Sequence, residues 1–166
     1  GATNVAVGYS ALLSNTTGNS NTAVGGNALD ANTTGAGVTA VGFDALGANT
    51  TAFFSTGIGY QALLLNTSGT NNTAVGAFAL DANTTGGSGV AVGYEALSSN
   101  TTASGNVGIG SEALKNNTTG NGNTAVGQNC LKANVTGAFN TGLGSGCLFA
   151  NTASNNTAVG YDSLIS

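Results

Sequence analysis

Residues 72–88 read NTAVGAFALDANTTGGS, and this seventeen-residue stretch recurs in similar form along the whole chain. Each copy carries one glycine directly after a branched aliphatic residue, and successive marker glycines are 17 residues apart, except for a last step of 16. A fixed period is typical of structural units that stack in register, so we predict one repeat array over residues 1–166. The ten marker glycines are Gly8, Gly25, Gly42, Gly59, Gly76, Gly93, Gly110, Gly127, Gly144 and Gly160.

The composition argues against several functional classes. The 166 residues include 28 glycines but no His, only two Lys and Arg together, and a net charge of −4. Without His the commonest general base and metal ligand is missing, and no nucleophile or phosphate-loop motif is present. We therefore expect neither an enzyme nor a cofactor. The negative charge argues against nucleic acid as a partner, and no apolar run approaches the ~20 residues of a membrane span.

The residues before each marker glycine predict a short β-strand. The last of them is Val, Ile or Leu in all ten copies, the one before it is Ala or Gly, and the one before that is Thr or Val. Such alternation with β-branched residues is typical of strands. We expect the large residue to face the core. The small residue, as at Ala23, Ala40, Ala74 and Ala91, would then face outward, either towards a neighbouring chain or into packing within one chain.

Leucine lies four residues after the marker glycine in every copy and is predicted to form the core. The charged residues fall in two columns around it, and Glu112 and Lys115 are three residues apart. Residues at this spacing share one face of a helix, so the pattern favours a short helical turn. The predicted core ladder consists of Leu12, Leu29, Leu46, Leu63, Leu80, Leu97, Leu114, Leu131, Leu148 and Leu164.

Asparagine follows three residues after the leucine in nine copies. Asn tolerates the left-handed conformation that ends a helix, so we predict a structural Asn ladder at this position. In eight copies it also begins an N-x-S/T sequon, and the alternative is N-glycosylation. Val135 replaces Thr in the next column, which indicates that this column is at least half buried. The eight sequon residues are Asn15, Asn32, Asn49, Asn66, Asn83, Asn100, Asn117 and Asn134.

Together these columns predict a β-solenoid or β-roll of ten 17-residue coils, each with one short strand and one short helical turn. A strand spacing of about 4.8 Å gives a rod on the order of 50 Å long. Asn and Thr columns would then form hydrogen-bonded ladders along the rod.

Two further sets of residues interrupt the regular pattern. Cys130 and Cys147 lie one period apart, so stacked coils would bring their Cα atoms within disulfide range, although two buried reduced thiols fit the Ala-sized space better. Four aromatic residues in the loop and flanks indicate either a lateral contact or local packing under the loop. These are Phe53, Phe54, Phe139 and Phe149.

The NTAVG segments at 21–25, 72–76 and 123–127 resemble the S-V-A-I-G signature in the head repeats of trimeric autotransporter adhesins. The longer pattern NTAVGxxALxxNTTG resembles repeat arrays in tail-fibre-like surface proteins of bacteria and their phages. This resemblance implies an extracellular protein at a cell or virion surface, homotrimeric or otherwise multichain, with a fibre or binding role.

We therefore expect a structural segment of an extracellular fibre, filament or adhesin shaft that works by stiffness and self-association. The partner would be the protein itself, stacked head to tail or as a trimer, because Val5 begins and Leu164 ends ordinary repeats without polar caps. Cell-surface or glycan ligands are further candidate partners. The alternative is an ice- or carbohydrate-binding solenoid presenting Thr and Asn ladders. Against it, the adjacent Thr16 and Thr17 would point to opposite sides.

Overall fold

The computed structural model describes residues 2–165 and shows a parallel β-solenoid, which confirms the predicted fold class. Ten strands of three residues each form one sheet in chain order, and every neighbouring pair is parallel. The strands are β1 (Val5–Val7), β2 (Thr22–Val24), β3 (Thr39–Val41), β4 (Thr56–Ile58), β5 (Thr73–Val75), β6 (Val90–Val92), β7 (Val107–Ile109), β8 (Thr124–Val126), β9 (Thr141–Leu143) and β10 (Thr157–Val159).

The strand register repeats the sequence period. Residues of β2 pair with those 17 positions later in β3, so that Thr22 lies beside Thr39 and Val24 beside Val41. The same offset holds from β1 to β9, and the pairing of β9 with β10 is offset by 16 residues. One turn of the solenoid therefore corresponds to one sequence repeat, as the spacing of the marker glycines predicts.

The two faces of the strands are the reverse of those expected from the sequence. The small middle residue of each strand points into the solenoid, and Ala23, Ala40, Ala74 and Ala91 are fully buried. The large residue before the marker glycine faces outward, and Ile58 is 39% exposed. Of the two alternatives for the alanine column, contact with a neighbouring chain is therefore wrong, and the column packs within one chain.

The size of the buried leucine side chain explains why the small strand residue, and not the large one, faces the interior. The leucine of each coil fills the interior directly opposite the strand, which leaves room there only for Ala or Gly. A Cβ added to Gly57 would lie 3.1 Å from Cδ1 of Leu46, tighter than ordinary van der Waals contact. The small size of the middle column thus reflects packing within one chain.

The predicted helical turn is also wrong, because residues 2–165 contain no helix. The segment 59–66 instead forms three successive tight turns, in which the amides of Ala62, Leu64 and Asn66 bond to carbonyls three residues earlier at 3.1–3.4 Å. Gln61 and Leu63 both have φ of +54°, in the left-handed region that a right-handed helix excludes.

These left-handed residues direct backbone groups along the rod. The amide of Leu63 donates to the carbonyl of Ala79 in the next coil at 3.0 Å, and that of Leu65 donates to Asp81 at 2.9 Å. A helix would use such amides within its own turn. The turn segment therefore contributes to coil-to-coil bonding as the strand does, and this bonding offsets the strain of leucine at positive φ.

The marker glycine forms the corner between the strand and the turn segment. Gly93 has φ of +134°, and a Cβ added there would lie 2.6 Å from the carbonyl oxygen of Gly110 in the next coil. Both the conformation and the close approach of two backbones require glycine. This requirement explains why the glycine is the invariant mark of the repeat.

Candidate functional site

An asparagine ladder runs through the interior of the rod. Nδ2 of Asn83 donates to Oδ1 of Asn66 at 2.7 Å and to the carbonyl of Gly86 at 3.0 Å, while its Oδ1 accepts from Nδ2 of Asn100 at 2.9 Å. Asn83 thus closes the corner of its own coil and joins two neighbouring coils. The bond between Asn side chains is present at each step from Asn15 to Asn134, at 2.7–3.4 Å.

Burial of this column bears on the glycosylation alternative. Seven of the eight sequon asparagines, from Asn32 to Asn134, are at most 2% exposed, and only Asn15 in the first coil is half-buried. A glycan on a buried Nδ2 would displace both its hydrogen bonds and the next coil. The folded rod therefore accounts for the Asn as ladder residues and has no space for glycans at these seven positions.

A second buried Asn column was missed by the sequence analysis. Asn21 lies at the residue before β2, where its Nδ2 donates to the carbonyl of Gly35 at 2.8 Å and its Oδ1 accepts from the amide of Val38 at 2.9 Å. The sequence does mark this column, because the residue directly before each strand is Asn in seven of the ten repeats. The equivalent buried residues include Asn72, Asn106, Asn123 and Asn140.

The predicted leucine ladder occupies the centre of the core. The eight leucines from Leu29 to Leu148 are no more than 2% exposed. In the two terminal coils the leucine is covered from one side only, so Leu12 is half-buried and Leu164 is 55% exposed. The apolar core therefore runs without interruption through the described coils.

The two cysteines are free thiols buried in the alanine column of the turn segment. The disulfide alternative is therefore not formed. Burial raises the pKa of the Cys130 thiol to about 12, so it stays protonated and is a poor nucleophile. Sγ of Cys147 donates to the carbonyl of Ala158 at 3.1 Å, which satisfies its own weak donor.

Four charged side chains form a chain of ion pairs along the outside of three coils. Lys115 contacts both Glu95 and Glu112, the latter at 3.1 Å, and Lys132 contacts the other oxygen of Glu112. Hydrogen bonds from Lys132 and Lys115 lower the pKa of Glu112, and the bond to Glu95 raises the pKa of Lys115. The pairing of Glu112 with Lys115 agrees with their spacing, although tight turns rather than a helix bring them together.

The outward side of the sheet is the most regular surface of the molecule. We define the strand face as the first and third residues of β2 to β9. Its side chains are half-buried to exposed, and the eight first-position residues are all Thr or Val. The hydroxyls of its six threonines, which are Thr22, Thr39, Thr56, Thr73, Thr124 and Thr141, make no hydrogen bond within residues 2–165.

The Thr-Thr segment forms a different surface. The first hydroxyl is used along the rod, as Oγ1 of Thr67 donates to the carbonyl of Thr84 at 3.1 Å. The second residue of the pair is exposed, as at Thr85 and Thr102. Val135 stands in the first column and is 43% exposed, so it is slightly more than half buried, as expected. The column also bonds between coils through its backbone, since the amide of Thr118 donates to the carbonyl of Val135 at 2.8 Å.

Aromatic side chains lie at two edges of the rod. Phe43 and Tyr60 stack with ring centroids 5.7 Å apart, and Phe78 meets Tyr60 edge-on at 5.3 Å. The four aromatics singled out from the sequence, Phe53, Phe54, Phe139 and Phe149, are 39–68% exposed. The ring of Phe54 packs over Gly37, since a Cβ added to Gly37 would lie 2.7 Å from that ring. Phe54 therefore makes a local packing contact although much of its side chain is exposed.

The part of the chain that the structure describes lacks a metal-binding cluster, a pocket and a membrane-spanning helix. No group of three His, Cys, Asp or Glu side chains there could hold a metal ion. The surface of this part forms no pocket. No helix between residues 2 and 165 has the length and apolar character needed to cross a membrane.

Comparison of the chain with protein-family models, with curated proteins and with solved structures found no significant match.

Proposed function

We propose that this chain is a structural segment of an extracellular fibre, filament or adhesin shaft, and that it acts through stiffness and self-association. The observation that carries the proposal is the uninterrupted hydrogen bonding between coils. Ten strands, the turn segments and two Asn columns all bond along the same axis. The likeness of the repeat to those of bacterial and phage surface proteins supports an extracellular location.

Stiffness follows from the way the bonds are distributed around each coil. Bending the rod would lengthen bonds on one side, and bonds are present on every side. The coil that contains β5 is an example. Three of its groups bond to a neighbouring coil at 2.7–3.0 Å, namely the strand amide of Thr73, the turn amide of Leu80 and the side chain of Asn83. A stack of this kind resists local opening because each interior coil is held by two neighbours.

Self-association is supported by the self-similarity of the coils, because every coil bonds to the next in one constant register and any coil can therefore receive another of the same kind. An open strand edge above an apolar core is a template for another coil. We propose that copies stack head to tail, so that Leu164 of one copy covers Leu12 of the next.

Electron microscopy of the concentrated protein, together with light scattering over a range of concentrations, tests this proposal. Rods about 50 Å long should join end to end into filaments. Leu12→Lys should shorten them, because the junction would bury a charge. The control Leu13→Lys alters a side chain of the same coil that is 72% exposed and should leave them unchanged. A monodisperse monomer at high concentration would contradict the proposal.

A further inference from the structure

We infer that the strand face binds the surface of ice. This inference goes beyond the proposed structural role and does not depend on it. It rests on the spacing, chemistry and stiffness of the outward side chains of β2 to β9.

The strand face is a two-dimensional net with constant spacings. The pairing Thr22↔Thr39 and Val24↔Val41 repeats from strand to strand, so equivalent side chains recur every ~4.8 Å along the rod. Within a strand the two outward residues are roughly 6.7 Å apart. A ligand that matches such a net must itself repeat in two dimensions. Crystalline water does so, with spacings between oxygen atoms of similar size.

The chemistry of the face suits ordered water. Its side chains present methyl groups at every position and free hydroxyls at the six threonines, none of which is bonded within the described chain. The neighbouring backbone amides and carbonyls are used in the sheet. Water around methyl groups is orientationally restricted, and a hydroxyl can anchor it by donating and accepting.

Charge is absent from this face. The eight charged residues lie beyond the corner glycine, in the turn segment. They are Asp30, Asp44, Asp81, Glu95, Glu112, Lys115, Lys132 and Asp162. A charged side chain would bind water in its own geometry and would interrupt a lattice, so their placement leaves the strand face free for a regular water layer.

The side chains of the face are also held in place. At 15 of its 16 positions the residue is Thr, Val or Ile, and Leu143 is the one exception. β-Branched residues have restricted χ1, so little side-chain entropy is lost when water orders against them. A preorganised surface binds more tightly than a mobile one of equal area. The exposed threonines equivalent to Thr85 do not form such a two-column net of free side chains. The threonines next to them in sequence, such as Thr84, donate their hydroxyls to backbone carbonyls of the next coil.

Thermal hysteresis of the folded chain tests the inference, read together with adsorption of labelled protein to a single ice crystal. Wild-type protein should show hysteresis and adsorb to ice. Thr73→Tyr, in the centre of the strand face, should abolish both. Thr85→Tyr places the same side chain on the other surface of the same coil and should retain both.

Circular dichroism establishes that each variant is folded, and Thr124→Tyr repeats the test three coils away if Thr73→Tyr unfolds. Absence of hysteresis in the wild type would overturn the inference. So would loss of hysteresis in Thr85→Tyr with retention in Thr73→Tyr. Co-sedimentation with crystalline cellulose or chitin, without hysteresis, would assign the face to carbohydrate instead. None of these outcomes changes the filament test, so the two proposals fail separately.

Discussion

Asn83 shows what a single residue contributes to this fold. Its amide makes three hydrogen bonds, to Asn66, Gly86 and Asn100, in a fully buried position. No other side chain of similar size presents a donor and an acceptor in opposite directions along the rod. The sequence predicted this column because Asn recurs there without exception, whereas the second Asn column varies and was not recognised.

Replacing Asn83 by Ala should lower the free energy of unfolding by about 2–5 kcal/mol, because it removes three buried hydrogen bonds and leaves Oδ1 of Asn66 without a partner. Denaturant unfolding measures the change. Ser88→Ala, at an exposed loop position of the same repeat, is the control and should cost less than about 0.5 kcal/mol. Equal, small effects would show that the ladder bonds contribute little.

Asp81 should make stability depend on pH. Burial raises its pKa from 3.8 to about 6, and its Oδ1 is buried without a partner. Because the pKa of Asp81 is higher in the folded chain than in the unfolded chain, protonation of Asp81 stabilises the fold. This stabilisation is complete below pH 3.8 and is lost as the pH rises through 6. Asp81→Asn should therefore raise stability at pH 7 by about 1–3 kcal/mol and flatten the pH profile between these values.

Thermal unfolding at several pH values measures this effect. Asp162→Asn is the control, because Asp162 is exposed in the last coil and its carboxylate keeps its contact with water. A profile that stays the same in Asp81→Asn would contradict the assignment.

At the scale of the strand, the orientation of side chains can be tested directly. Ala74→Val should destabilise the fold by about 1–3 kcal/mol, because it adds two methyl groups to a filled core. Val75→Ala removes two methyl groups from the half-buried outward side and should cost less than about 1 kcal/mol. Chemical denaturation of both variants decides the matter. The reverse order of effects would restore the orientation first expected from the sequence.

The turn segment gives a second prediction at this scale. Leu80 has φ of +51°, which a β-branched residue adopts poorly. Leu80→Ile should therefore cost on the order of 2–4 kcal/mol although volume is conserved, whereas Leu80→Met should cost less than about 1.5 kcal/mol. The two unfolding midpoints measure the difference. Similar losses in both would show that conformational strain is not the cause.

These two elements show where sequence reasoning reached its limit. The period, the strand position and the burial of leucine followed from the columns of NTAVGxxAL. The direction of the strand side chains did not, because a column of small residues fits either a close neighbour or a filled interior. The turn was read as helical because residues three apart are also brought together by successive tight turns, as Glu112 and Lys115 are at 3.1 Å.

At the scale of the whole molecule, length follows directly from the number of repeats. Each coil contacts only its neighbours, and the pairing offset is constant from β1 to β9. A chain built in this way can gain or lose a coil without changing its cross-section. The natural step of 16 residues between β9 and β10 shows that the loop absorbs a one-residue change. The outward strand residues follow the same repeat, so the strand face presents one column of Thr or Val and one of mostly Val or Ile along the rod.

Small-angle X-ray scattering of a chain lacking one internal repeat, residues 68–84, tests the stacked-coil account most directly. Its maximum dimension should fall by about 4.8 Å relative to the full chain, while the radius of gyration of the cross-section stays unchanged. An unchanged length, a wider cross-section or loss of the folded state would contradict an account in which each 17-residue repeat is one self-similar coil of a stiff rod.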